Sequence, residues 1–177
     1  MSEEKKEPWL NYLAMTTIIF AICATLSTFK GGAYSTKSVI SQAQASDQWA
    51  YFQAKSIRES MYRIQKDNLE LQMKMIKADS ADTYQKYEEA LKKADENITR
   101  YGKEKEEIQK EAKNLETKRD DAQSHGRPFG IAVIFLQVAI LLSSVSALFK
   151  RRPIWYLAIP VGCVGIIYFI NGFFMFF

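Results

Sequence analysis

Apolar residues follow two different rhythms along this chain. Three stretches are continuously apolar and free of charge: Trp9 to Phe29, Phe129 to Phe149 and Ile154 to Phe177. Each has about 20 residues, enough for one helix to cross the hydrocarbon core of a bilayer. Between the first two, the apolar positions recur at spacings of three and four, the period of helices that pack along a seam. Placing d at Ala43, Ala50, Ile57, Ile64 and Leu71 puts Asp47, Ala54, Met61, Asn68 and Met75 at a. A second set repeats the pattern, with Leu91, Ile98, Ile108 and Leu115 as its large aliphatic members.

The short "ADSADTYQ" separates the two heptad segments, and Asp82 with Gln85 suits a helix start. A connection this short predicts that the segments fold back on each other, each reaching on the order of 60 Å if fully helical. The expected fold class is an all-α integral membrane protein with three transmembrane helices and a long antiparallel coiled-coil hairpin. Its predicted order is a polar tail over 1–8, a first span over 9–29, a glycine turn over 30–36 and a first arm over 37–78. A turn over 79–82, a second arm over 83–124 and a linker over 125–128 follow. The chain then has a second span over 129–149, a basic loop over 150–153 and a third span over 154–176. In that last span Pro160, with Gly162 and Gly165, admits a kink.

The seam expected between the arms uses Ile57, Met61, Ile64 and Leu71 from the first, and Leu91, Ile98, Ile108 and Leu115 from the second. The first arm also shows another apolar stripe, made of Trp49, Phe52, Tyr62, Leu69, Met73 and Ile76. One partner helix cannot cover both faces, so this stripe predicts self-association into a homo-oligomer. The competing reading places Trp49, Tyr51 and Phe52 on lipid headgroups. Gly31 and Gly32 are expected to turn the chain out of the first span. "KGGAYSTKS" lacks the spacing of a phosphate loop.

Charge changes the picture in one place. The net charge of +4 is mild, and opposite charges alternate through the middle, which speaks against nucleic acid as a partner. The short loop containing Lys150, Arg151 and Arg152 is strongly basic, the setting in which positive charge marks the cytoplasmic side. It predicts a cytoplasmic N-terminus and a periplasmic hairpin in a multi-pass protein of the bacterial inner membrane. The first apolar run is too long for the core of a signal peptide.

Chemistry is sparse. Cys23 and Cys163 lie inside apolar runs without metal-ligand spacing, and His125 is the single histidine. No nucleophile stands with a base at a recognisable spacing, so neither an enzyme nor a cofactor is expected. Asp120 and Asp121 are adjacent and point to different parts of a helical surface.

The segments "WLNYLA", "ATLSTFKGGAYST", "QASDQWAYFQAKSI", "KRDDAQSHGRPFGIAVIFLQVAILLSS" and "NGFFMFF" together resemble a bacterial membrane family, domain of unknown function 4337. The resemblance covers nearly the whole chain. It implies an inner-membrane protein and carries no catalytic residue. The expected role is a membrane-anchored scaffold that self-assembles through its hairpin and spans and could hold an envelope partner. The alternative is a subunit of a transport or ion-conducting complex, because three spans with a long helical insertion after the first are similar to the order of elements in motor stators. The uncharged spans count against it.

Overall fold

The computed structural model describes residues 8–75 and 81–176, and all the regular secondary structure within them is helical. Helix α1 runs Pro8–Met75, α2 runs Ala81–Phe149 and α3 runs Arg152–Phe174. All three are long and apolar enough, over part of their length, to cross a membrane. The first arm's last residues, 76–78, and the start of the following turn lie outside the described residues. Asp82 sits inside the first turn of α2, where its carboxylate accepts a 2.6 Å hydrogen bond from Lys86 instead of capping the helix.

The glycine turn expected over 30–36 and the linker expected over 125–128 are both helical. No described glycine has a positive φ, so these glycines are not turning the chain. Their use is close approach. A Cβ on Gly31 would lie 3.2 Å from Phe129 Cβ, and one on Gly126 would lie 3.2 Å from Tyr34 Cβ. α2 also passes through Pro128, which is buried and has no N–H to donate to the preceding turn.

The chain divides into two compact units, Met1–Ile40 with Arg119–Phe177, and Ser41–Lys118. The first packs parts of all three helices around Phe20, Ala24, Ala132, Leu136 and Ala139. α3 supplies glycines as sockets: ring atoms of Phe20 fill the space of a Gly162 side chain, Leu136 that of Gly165 and Phe129 that of Gly172. Pro160 lies within α3, which continues through it. Over its apolar runs the unit is apolar on the outside, with Ile18, Ile22, Leu26, Leu141, Leu148 and Leu157 exposed. Inside it, Ser27, Ser143, Ser146 and Asn171 are buried.

α2 and α3 are joined by a two-residue reversal rather than the four-residue loop expected. Lys150 takes a left-handed φ of 52°, and the Arg151 amide donates to the Ser146 carbonyl at 3.2 Å. The Ser146 hydroxyl donates to the Arg151 carbonyl at 2.8 Å. At the same end, Trp155 Nε1 donates to Thr16 Oγ1 at 3.2 Å, and the Arg152 guanidinium lies over the Trp9 ring.

The second unit is an antiparallel pair formed by α1 and α2. Partners on α2 fall in number as those on α1 rise: Trp49 meets Glu116, Tyr62 meets Tyr101, and Lys66 meets Asp95. Its interior on the α2 side holds Ala94, Tyr101, Ile108, Ala112 and Leu115.

Candidate functional site

The α1 face that meets α2 is Ser41, Ala45, Phe52, Glu59, Tyr62, Leu69 and Met73, a set spaced by three, four or seven residues. It corrects the seam read from sequence. Ile57, Met61, Ile64 and Leu71 are each about 60 % exposed, at 62, 63, 61 and 59 %, and form the open side of α1. The aromatic stripe expected to bind another copy is instead used within the chain. Trp49 Nε1 donates to Glu116 Oε1 at 2.8 Å and packs edge-on against Phe52, which lies under the Lys105 ammonium. Tyr62 stacks on Tyr101, and Leu69 and Met73 are half-buried. Ile76 lies outside the described residues. On α2, Leu91 and Ile98 are half-buried, and Ile108 and Leu115 are buried.

Polar groups decide which stripe is covered. Glu59 is buried and holds Lys105 at 2.6 Å across the pair and Arg63 at 2.6 Å on its own helix. Lys55 meets Glu104 at 2.6 Å, and Lys66 meets Asp95 at 2.7 Å. The hydrogen bond from Lys105, then that from Arg63, holds the Glu59 carboxyl below the usual carboxylate range. The bond from Lys55 does the same for Glu104, and the bonds that Lys55 donates to Glu104 and Tyr51 raise its ammonium. These pairings go with the observed rotation of α1 about its axis, whereas the charged residues beside the opposite apolar face, Asp47, Arg58, Asp67 and Lys74, are exposed.

The face left open is the candidate site. It is a heptad stripe of Ala50, Ala54, Ile57, Met61, Ile64 and Leu71, with Asn68 at one a position. Gln53, Ser60, Gln65 and Gln72 are exposed alongside, and the flanking charges Asp47, Arg58, Asp67 and Lys74 are balanced in sign. A groove of about 820 Å³ opens beside it, lined by Met61, Ile64, Asn68 and, from the covered side, Tyr62 and Tyr101. Among the described residues no group of three or more His, Cys, Asp or Glu could hold a metal ion. The candidate site is a stripe of exposed apolar side chains at heptad spacing.

A family model described as a domain of unknown function, DUF4337, matches residues 9–175. The chain belongs to the DUF4337 family. The match takes in all of α2 and α3 and all of α1 but Pro8. No curated protein and no solved structure gives a significant match. The family description assigns no chemistry, and the open face of α1 is the feature of this member that most needs an explanation.

Proposed function

We propose that this DUF4337 protein is a multi-pass membrane scaffold that self-associates through the open heptad face of α1. The observation that carries the reading is the stripe of Ile57, Met61, Ile64 and Leu71, large aliphatic residues more than half exposed in a segment rich in charge. A strict heptad stripe fits a helix of matching period, and a second copy of α1 has that period. Asn68 at an a position would set register, and flanking charges balanced in sign present no block of one sign to a second copy.

The membrane part of the reading is supported by the outward-facing aliphatic residues and inward-facing serines of the first unit, an arrangement suited to lipid as solvent. The basic reversal at Lys150 and Arg151 favours a cytoplasmic position for that end, and a periplasmic position for the helix pair, in the inner membrane of a bacterium. An assembled set of helix pairs would present repeated surfaces to an envelope partner.

The test is the mass of the full chain in nanodiscs, compared with an Ile57→Asp, Ile64→Asp double variant. The expected result is an oligomer for the native chain and a monomer for the variant, with equal helicity by circular dichroism. A native chain that is monomeric, or a variant of unchanged mass, would remove the proposal.

A further inference from the structure

Among the described residues of the second unit, the exposed large aliphatic side chains are Ile57, Met61, Ile64, Leu71 and Met75, all on α1. The outward side of α2 is charged instead, with Lys92, Lys93, Glu96, Lys103, Glu106 and Lys110 exposed. Laying α2 of another copy on the stripe would bury such charges without partners, which is costly. The surface of this chain that matches the stripe is therefore α1 itself. There is room for it. The α1 residues that meet α2 all fall at b and f of the heptad, nearly opposite a and d.

Orientation follows from the anchor. α1 is one continuous helix from its apolar run to the stripe, and on the membrane reading every copy enters the bilayer the same way up. Two α1 helices then run parallel and level, which sets each a residue against its own counterpart and each d residue likewise. Two polar residues stand at a in that seam, Asp47 and Asn68, and both are exposed. Level pairing has opposite consequences for them. An amide both donates and accepts, so Asn68 is self-complementary, and such a pair fixes register and favours two copies. Two Asp47 carboxylates at one level repel. The neighbours of Asp47 on this face, Gln44, Ser46, Tyr51 and Gln53, bring no positive charge, and α2 brings an acid to this level, Glu116 at Trp49.

A slip of one heptad would part the carboxylates by placing Asp47 against Ala54. It would also set Asn68 against Met61 and Met75 and leave a seam amide unpaired. In the level register the remaining charges meet neutral neighbours, Arg58 opposite Gln53 and Asp67 opposite Gln72. We infer that a second copy docks α1 on α1, parallel and level, with Asn68 paired across a two-fold axis and the two Asp47 carboxylates opposed. Asp47 thereby restrains an association that the aliphatic stripe drives, and neutralising it strengthens the pair. The inference rests on the proposed self-association and membrane reading.

The experiment uses the full chain, with Cys23 and Cys163 replaced by alanine, in the membranes of expressing cells, where all copies insert by one route. Ile57→Cys or Ile64→Cys supplies a single thiol. Initial rates of disulfide formation are compared for matched chains, both Ile64→Cys, and for mixed, differently tagged chains, one of each. One heptad is about 10 Å, beyond the reach of a disulfide. The matched rate should therefore exceed the mixed rate roughly fivefold. Asp47→Asn should raise the matched rate roughly threefold, with helicity unchanged. Chains carrying Asp47→Lys should link to chains with native Asp47 faster than either links to its own kind. A native chain that is monomeric by mass in nanodiscs would overturn the self-association reading and the inference with it. An oligomer whose matched rate does not exceed the mixed one, or is not raised by Asp47→Asn, would overturn the inference alone. So would the lack of any preference for linkage between the Asp47→Lys and native Asp47 chains.

Discussion

Single residues in this protein do work that their type alone does not announce. Gly165 is a socket: an added Cβ would fall 2.7 Å from Leu136 Cγ and 3.1 Å from its backbone nitrogen. Gly165→Ala should therefore destabilise the detergent-solubilised protein by about 1–3 kcal/mol in a thermal unfolding assay. Gly32→Ala meets open space and should leave the midpoint unchanged or raise it. Glu59 gives a pH dependence whose sign can be worked out. Its carboxyl is held down by Lys105 and then Arg63, so the folded pKa lies below the unfolded one. The associated stability is present above the unfolded value, about 4.3, and is lost as pH falls through the folded value. Lys55 and Lys66 are raised, chiefly by Glu104 and Asp95, and their contribution is lost at the alkaline end, above about pH 10.4. Melting curves should show highest stability between these limits. Glu59→Gln should weaken the acid-side decline, and an unchanged acid limb would show that Glu59 does not govern it.

At the scale of elements, the open and covered faces of α1 make opposite predictions. Tyr101 is 6 % exposed and stacks on Tyr62, so Tyr101→Ala should lower the stability of the antiparallel pair by on the order of 3 kcal/mol. Ile57→Asp changes an exposed residue and should leave the melting of a monomeric preparation within error. A large loss from Ile57→Asp under those conditions would contradict the observed faces. Helical character was legible in the sequence because the three- and four-residue spacing persists through both segments. The rotation of α1 was not. On α2 the apolar residues Leu91, Ile98, Ile108 and Leu115 form one stripe and offer one seam, whereas α1 carries two stripes at the same period. Apolar content favours Ile57, Ile64 and Leu71, but the observed choice follows Glu59, Lys55 and Lys66, whose partners are distant in sequence. The open face was visible as a pattern and misassigned as a seam. Gly31 misled for a related reason, since glycine serves a turn and a close helix crossing equally well and only Phe129, far along the chain, distinguishes them.

At the scale of the whole molecule, the proposed topology is testable by side-specific chemistry. In a chain with Cys23 and Cys163 replaced by alanine, a cysteine at Gln85 should react with an impermeant thiol reagent in intact spheroplasts, and one at Arg151 should react only after lysis. The reverse pattern would turn the protein over. The two-residue link between α2 and α3 has a consequence for biogenesis. Lys150 and Arg151 leave no slack, and both the Ser146 hydroxyl and the Ser146 carbonyl are engaged in the reversal. On the proposed membrane reading, a newly made α2 would have its end of this link held close to the start of α3, which favours entry of the two helices into the bilayer as one paired unit. Lengthening the link with a flexible insert would uncouple their entry, and the side on which Arg151 comes to rest would then depend on how each helix inserts by itself.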